Sequence, residues 1–312
     1  MRIAIVGVGG AAGYFGGRLA AAGEDVLLVA RGAHLEAIQR DGLRVDSDRG
    51  DFRVHPARAA ASLEGQGAFD AAILGVKAWQ VREIAPQLAG ALVAEDAFAL
   101  PLQNGVGALT TLAEALGPSR VMGGLCRVNS ARVAPGHIRQ AGVEPTVIFG
   151  ELDGGDTPRA RALGAALERA GIAVERPPDI RAAIWQKFLL VAGWGAVAAL
   201  ARAPIGVLRE VPETRELLRR ALAEVHAVSV AEGIRLPAQA AEATLAYIDT
   251  LPPGLTISLQ RDVEAGLPSE IDDCCGEVVR RARAHGLAAP VQEMACMALA
   301  ALEGRARGRL SF

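Results

Sequence analysis

Lys187 is the residue of this chain whose surroundings most favour acid–base chemistry. It lies in the stretch IWQKFLLVAGWGAVAAL, which begins at Ile184 and is apolar on nearly every side. The 312-residue chain contains 33 lysines and arginines, yet lysine occurs only at Lys77 and Lys187. Arginine does not release its proton in a protein, whereas a desolvated lysine can act as an acid or a base. We therefore predict that the two lysines stand where arginine would not serve.

The neighbours of Lys187 strengthen this prediction. On a helix, the side chains one turn away from it are all apolar: Ala183, Ile184, Leu190 and Val191. Such neighbours would desolvate the ammonium group and favour its use as a general acid. The alternative is a lysine at the edge of a core helix, with its stem buried and its charge in water.

A glycine-rich segment near the N-terminus, IAIVGVGGAAGYFGGRLAAAG, is typical of a strand, a tight turn and a helix. Gly7, Gly9 and Ala12 match the pattern G-x-G-x-x-G/A, which permits the turn, a close approach of backbone to a pyrophosphate, and packing of helix on strand. We predict that a dinucleotide binds to the backbone of Gly7, Gly9, Gly10, Ala11 and Ala12. The alternative is a glycine turn that serves packing alone.

The second strand indicates which dinucleotide is bound. NAD-binding proteins usually place an acidic residue at the end of this strand, where it binds the ribose 2′-hydroxyl. Here the strand is DVLLVARG, with Ala30 at the expected position of the acid and Arg31 after it. An arginine suits a 2′-phosphate, so the pattern predicts NADP(H). The alternative is that Arg31 is an ordinary surface charge.

The elements that position these residues follow an α/β pattern. Apolar runs alternate with helical patterns in the first half of the chain, which predicts a Rossmann-type parallel sheet. The strand-like runs are Ile3–Val6, Val26–Ala30, Ala71–Val76 and Ala97–Leu102, and a hairpin is predicted to turn at residues 48–50. Beyond Pro177-Pro178 only helical periodicity remains. We predict an NADP-binding domain over residues 1–177 and an all-helical substrate or dimerisation domain over 178–312.

Composition narrows the classes of partner. A net charge of −2 gives no reason to expect nucleic acid or an anionic membrane surface. The uncharged run from Phe188 to Ala201 is too short to cross a bilayer. The opening MRIAIVGVGG is predicted to be a first strand and not a signal peptide. Four cysteines without zinc-type spacing, including the adjacent Cys274 and Cys275, fit a reducing cytoplasm, and we expect no metal site.

Seven motifs in order along nearly the whole chain resemble the ketopantoate reductase family, the 2-dehydropantoate 2-reductases. They are GVGGAAGYFGGRLA, VARGAHLEAIQRDGLRV, GVKAWQV, LQNGVG, VIFGE, WQKFLL and SLQRDVEAGLPSEID. The resemblance implies a Rossmann domain joined to a helical domain. It also implies NADPH-dependent reduction of a small 2-oxo acid, ketopantoate, to pantoate.

The resemblance also assigns roles to residues. It places Lys77 and Asn104 near the nicotinamide and ribose, with Asn104 also at the substrate. Lys187 would protonate the substrate oxygen as hydride arrives, and Glu270 would share the catalytic site by holding the substrate's other hydroxyl. Ser258 would help to hold the substrate carboxylate.

Each of these residues also has a structural alternative. Lys77 and Asn104 follow apolar runs, at the strand ends where ligands bind in parallel sheets. Lys77 could instead be a solvated charge at a helix start, and Asn104 part of an ordinary Asn-Gly turn. Glu270 could stabilise the dipole of a first helical turn, and Ser258 could be a structural hydroxyl.

The chain departs from the family pattern at two positions expected to be polar and close to substrate. Val191 and Leu255 stand where the family commonly has asparagine. An apolar wall disfavours a substrate whose hydroxyl it leaves unpaired. One alternative function is therefore a sibling reductase acting on a more apolar 2-oxo acid or ketone. Another is a non-catalytic NADP(H)-sensing regulator, against which Lys187 and Glu270 argue. A homodimer is compatible with the alanine-rich helices from Glu213 onward.

Overall fold

The computed structural model describes all residues from Met1 to Phe312. The chain divides into two compact units. The first contains residues 1–103 and 108–180, and the second contains residues 104–107 and 181–312. The division therefore falls three residues after the boundary predicted from the proline pair. The short segment Asn104–Gly107 groups with the second unit although it follows a strand of the first.

The first unit is built on a five-stranded parallel sheet with the order β5-β2-β1-β6-β7. Its strands are β1 (Arg2–Val6), β2 (Asp25–Val29), β5 (Ala59–Ala60), β6 (Ala71–Leu74) and β7 (Phe98–Pro101). The four longer strands coincide with the four predicted apolar runs to within a few residues at each end. Side chains of β1 alternate between two cores, with Ile3 and Ile5 in one and Ala4 and Val6 in the other. Both faces of the sheet are buried, which explains why the strands are apolar throughout.

Two smaller sheets complete this unit. One has the order β4-β3-β10-β9, and the other has the order β12-β11-β8. Their strands are β3 (Leu43–Ser47), β4 (Phe52–Val54), β8 (Met122–Arg127), β9 (Ser130–Ala134), β10 (His137–Gln140), β11 (Thr146–Glu151) and β12 (Ala173–Glu175). Strands β3 and β4 pair antiparallel, with Leu43 opposite Val54, so the predicted hairpin is confirmed.

Five helices lie between β1 and β12 along the chain. They are α1 (Gly10–Ala21), α2 (Gly32–Asp41), α3 (Val81–Ala91), α4 (Gly107–Leu116) and α5 (Pro158–Arg169). Helix α1 is rich in glycine because it packs closely on the sheet. A Cβ atom added to Gly16 would lie only 2.6 Å from Cγ1 of Ile5.

The second unit is helical, as the sequence pattern predicts. Its helices are α6 (Ile180–Ala201), α7 (Ile205–Glu210), α8 (Pro212–Ala231), α9 (Ala240–Thr250), α10 (Ser258–Glu264), α11 (Glu277–Ala284) and α12 (Pro290–Ala306). A π-helical turn, Asp272–Gly276, leads directly into α11.

Helix α6 is the most apolar of the long helices. By length and composition alone, this helix of 22 residues could cross a membrane. The uncharged run that was judged too short to do so is only part of it. However, 72% of its most apolar window is buried within the protein. Packing in the interior of the protein therefore accounts for its composition.

Candidate active site

The glycine loop between β1 and α1 has the geometry of a dinucleotide-binding turn. Gly7 adopts φ +88°, a left-handed conformation that favours glycine. Its amide donates to the carbonyl oxygen of Val29 at 3.0 Å, which ties the loop to β2. A Cβ atom at Gly7 would lie 2.6 Å from the backbone nitrogen of Val76. The loop therefore turns tightly between two strand ends and has no room for a side chain at Gly7.

The remaining loop positions leave the start of α1 open to an anion. Gly9 precedes the helix without any side-chain cap, and the first turn has no acidic residue. A Cβ atom at Gly10 would overlap the carbonyl oxygen of Ser130, and one at Gly75 would overlap the side chain of Ala12. The amides at this terminus have no partner within the helix, and the helix dipole favours negative charge there. These residues fit the pyrophosphate of a dinucleotide.

Arg31 lies where the second strand ends and α2 begins. It precedes the first helical residue, Gly32, in an extended conformation, and its side chain is exposed. Ala30 beside it is buried and offers no group to a ribose hydroxyl. The acid that NAD-binding proteins place here is replaced by a small apolar residue and a free cation.

Lys77 follows β6 and precedes a short 3-10 turn over Ala78–Gln80. Its backbone amide donates to Oε1 of Gln80 at 3.1 Å, and its ammonium lies 5.8 Å from the centre of the Trp79 ring. The side-chain amide of Gln103 donates to the carbonyl oxygen of Val76 at 3.0 Å, so the turns after β6 and β7 are joined. Lys77 follows the carboxyl end of β6, where the sequence pattern places it, and is half-buried there.

Asn104 begins the short segment that belongs to the second unit. The next residue, Gly105, has φ +98°, so the Asn-Gly pair does form a turn. A Cβ atom at Gly105 would lie 3.2 Å from the carbonyl oxygen of Asp273, and one at Gly107 would lie 3.5 Å from the carboxylate of Glu277. The turn after Asn104 therefore rests on the π-helical turn that follows Glu270.

Lys187 is half-buried on α6, between Ile184 and Val191, which are both buried. Val191 is only 8% exposed. Trp185 and Phe188, on either side of Lys187 along the chain, contact each other edge to face with ring centres 5.5 Å apart. Apolar packing therefore surrounds the backbone of α6 on both sides of the lysine.

Ser258 is the first residue of α10 and is half-buried. The next residue, Leu259, packs against α6, where a Cβ atom at Gly195 would lie 2.9 Å from Cδ2 of Leu259. Leu255 is 40% exposed in the turn before this helix, and its carbonyl oxygen accepts from the amide of Ile205 at 3.0 Å. The two elements that contain Ser258 and Lys187 are therefore held together directly.

Glu270 is half-buried at the start of the π-helical turn, where its carbonyl oxygen accepts from the amide of Cys274 at 2.9 Å. The preceding Ser269 is fully buried and donates to Glu303 at 2.8 Å. A π-helical turn is rare and is frequent at functional sites, because it re-aims the side chains around it. The structure brings no three histidine, cysteine or acidic side chains together in a group that could hold a metal ion.

Asp273 is an unusual acid that sequence reasoning missed. The adjacent Asp272 is exposed and bonds to Arg280 at 2.9 Å, as expected for a surface helix. Asp273 is instead half-buried, and burial, followed by the charges of Glu270 and Asp272, raises its pKa from 3.8 to about 6. Three acids within the segment SEIDDCC were the only signal in the sequence. The π-helical turn that follows Glu270 contains the other two acids, Asp272 and Asp273.

Asp273→Asn is expected to stabilise the protein at neutral pH. Because the carboxyl pKa is higher in the folded state, the folded protein binds more protons between about pH 4 and 6, and stability falls as pH rises through that window. The full shift would correspond to about 3 kcal/mol, which solvent exposure reduces to about 1 kcal/mol. Urea unfolding should show this gain at pH 7.5 and none below pH 4. A gain of equal size at both pH values would contradict the assignment, and Asp96→Asn, at an exposed acid of the first unit, serves as the control.

The structure thus sorts the predicted residues into two sets. The first unit contains the glycine loop, Arg31 and Lys77. The second unit contains the other four, Asn104, Lys187, Ser258 and Glu270.

Comparison with known proteins agrees with this division. The family model described as ketopantoate reductase PanE/ApbA matches residues 3–154, and the model of its C-terminal domain matches residues 179–303. A 2-dehydropantoate 2-reductase from Mesorhizobium japonicum is 32% identical, over 87% of this chain and 88% of its own length.

Solved structures show the same similarity. A PanE/ApbA family ketopantoate reductase from Ralstonia eutropha is 31% identical, with a TM-score of 0.88 over 98% of this chain and all of its own. D-mandelate dehydrogenase, at 22% identity and a TM-score of 0.86 over 98% of this chain and 99% of its own, shares the fold. Both halves of the chain match one family in sequence and in structure, and the chain therefore belongs to the ketopantoate reductase family of oxidoreductases.

Proposed function

We propose that this protein reduces a 2-oxo acid with NADPH, converting 2-dehydropantoate to pantoate, with Lys187 as the general acid. One joint observation supports the proposal. This chain, which belongs to the ketopantoate reductase family, has an open dinucleotide loop at Gly7–Ala12 and a half-buried lysine on the apolar helix α6. The first can hold a cofactor, and the second can supply a proton.

The first unit would bind and orient NADPH, which supplies the hydride. Backbone amides from Gly9 to Ala12 would hold the pyrophosphate, and Arg31 would hold the 2′-phosphate. Lys77, at the carboxyl edge of the sheet, would lie near the nicotinamide ribose.

The second unit would bind the substrate and handle the proton. As the carbonyl carbon accepts hydride, its oxygen gains negative charge, which the Lys187 ammonium stabilises before giving up a proton to it. Ser258 would donate to the substrate carboxylate, and Asn104 and Glu270 would hold the remaining polar groups. The packing of α10 on α6 through Leu259 supports a shared site for Ser258 and Lys187.

A second candidate substrate class follows from two apolar residues. Val191 is buried one helical turn after Lys187, and Leu255 is half-exposed just before α10. Neither can pair with a substrate hydroxyl, so an aliphatic or aromatic 2-oxo acid would fit better beside them. This candidate keeps the cofactor and the acid and changes only the substrate side chain.

The deciding experiment follows NADPH absorbance with 2-dehydropantoate and a panel of branched and aromatic 2-oxo acids. If 2-dehydropantoate gives the highest kcat/KM, the main proposal holds. If an apolar 2-oxo acid exceeds it, the second candidate replaces it. If NADPH binds tightly and no 2-oxo acid is reduced, both are wrong and an NADP(H)-sensing role gains support.

Val191→Asn is expected to move this preference towards the hydroxylated substrate. A hydrogen bond regained by a substrate hydroxyl is worth about 1 kcal/mol, so kcat/KM for 2-dehydropantoate should rise about 5-fold relative to an apolar 2-oxo acid. Val191→Thr, which keeps the side-chain volume, is the matched variant. A rise for both substrates alike would show that the residue acts on α6 and not on specificity.

A further inference from the structure

Strand β9 of the first unit runs past the glycine loop, and the inference rests on its position. At its start, the carbonyl oxygen of Ser130 lies against Gly10 of the glycine loop. Beyond its end, the amide of Gly136 donates to Nδ1 of His34 in the first turn of α2, at 2.8 Å. The strand therefore extends from the phosphate-binding loop to the start of α2, where Arg31 lies.

Arg132 is in the middle of this strand, next to a register shift of the β9–β10 pair between His137 and Ile138, and its partner on β10 indicates its direction. It lies opposite Ile138 of the antiparallel strand β10. Directly opposed residues point to the same face of a sheet. The side chain of Ile138 contacts Gly13 of α1, so this face covers the helix that follows the glycine loop. Arg132 therefore projects on the α1 side, and its side chain is exposed there.

The imidazole of His34, in the first turn of α2, is affected by the charge of Arg132. This buried imidazole has a lowered pKa, mainly because of burial and then because of the charge of Arg132. Val8, in the glycine loop, also interacts with this imidazole through its backbone. His34 lies three residues after Arg31. Two cations thus approach the same corner of the cofactor half, Arg31 from the end of β2 and Arg132 from β9.

Neither cation is neutralised by the protein. Arg31 and Arg132 are both exposed and have no carboxylate partner, whereas Arg44 on the neighbouring strand β3 bonds to Asp46 at 2.9 Å. A phosphate monoester has close to two negative charges at pH 7. One arginine leaves part of that charge uncompensated, and a second arginine on the other side would complete the site.

We propose that Arg132 is a second binding residue for the 2′-phosphate of NADPH and acts with Arg31 to select it over NADH. The inference rests on the proposed function, because it assumes that the glycine loop holds a pyridine dinucleotide. The 2′-phosphate is favoured over the pyrophosphate because Arg132 lies two residues along β9 from the Gly10 contact, in the direction of α2.

The test measures nucleotide binding and not turnover. Dissociation constants of NADPH and NADH are obtained from nucleotide fluorescence for the wild type, Arg132→Gln and Arg139→Gln. Arg139 is the matched control, because it is exposed on β10, has no carboxylate partner, and points to the opposite face as the neighbour of Ile138. A charge-assisted bond lost to Arg132→Gln should weaken NADPH binding about 10-fold or more. NADH binding should change by less than 2-fold, and Arg139→Gln should alter neither.

The other outcomes each overturn a defined claim. Equal weakening of NADPH and NADH by Arg132→Gln would assign the residue to the pyrophosphate and overturn the inference. Unchanged NADPH affinity would overturn it as well, while a wild type that prefers NADPH would leave the proposed function standing. A wild type that binds neither nucleotide would refute the proposed function itself.

Discussion

Lys187→Ala is expected to lower kcat by about 10³-fold while leaving NADPH affinity unchanged. A positioned general acid typically contributes 10²- to 10⁴-fold, and the same ammonium stabilises the developing alkoxide. The cofactor-binding residues belong to the first unit, whereas Lys187 is on α6 of the second. Steady-state reduction of the best 2-oxo acid and a separate NADPH titration would measure the two quantities.

Lys187→Arg is the sharper control for this prediction. Arginine keeps the positive charge and a long side chain but does not give up its proton at neutral pH. Charge stabilisation alone would restore part of the rate, whereas an obligatory proton transfer would leave the variant close to Lys187→Ala. Wild-type turnover in both variants would refute the catalytic role and leave Lys187 as a lysine at the edge of a core helix.

Gly7→Ala is expected to abolish measurable NADPH binding and to destabilise the first unit by about 3 kcal/mol. The left-handed conformation costs a residue with a Cβ atom about 1–2 kcal/mol. The new methyl group would also press on the backbone of Val76, 2.6 Å away, which cannot rotate aside as a side chain can. Chemical denaturation and the NADPH titration test the two effects.

Gly90→Ala is the matched control for this substitution. Gly90 lies in α3, is exposed, and has no atom within 4 Å of an added Cβ. Alanine is the better helix former, so this change should stabilise the protein by up to about 1 kcal/mol. If the two variants were equally stable, the conformational argument for Gly7 would be wrong.

The local chemistry of the cofactor half could be predicted from the sequence. The turn at Gly7, the strand–turn–helix around it, and the replacement of an acid by Ala30 and Arg31 all depend on residues within a few positions of one another. Strand periodicity and the requirement for positive φ are properties of such short segments. For the same reason the hairpin at β3–β4 and the helical second unit were predictable.

The rest depended on contacts between residues far apart in the chain. The sequence gives no sign that Gly105 rests on Asp273, or that the fold buries Asp273 and so raises its pKa. The sequence likewise does not show that β9 brings Arg132 towards His34.

The sequence by itself determined the glycine loop, the strand and helix order, and the scarcity of lysine that singles out Lys187. Tertiary structure alone decided that Asp273 is half-buried in the second unit and that Arg132 approaches the buried His34 in the first. The physical reason is that backbone conformation responds to near neighbours. Electrostatic surroundings and burial are set instead by whichever distant segments the fold packs together.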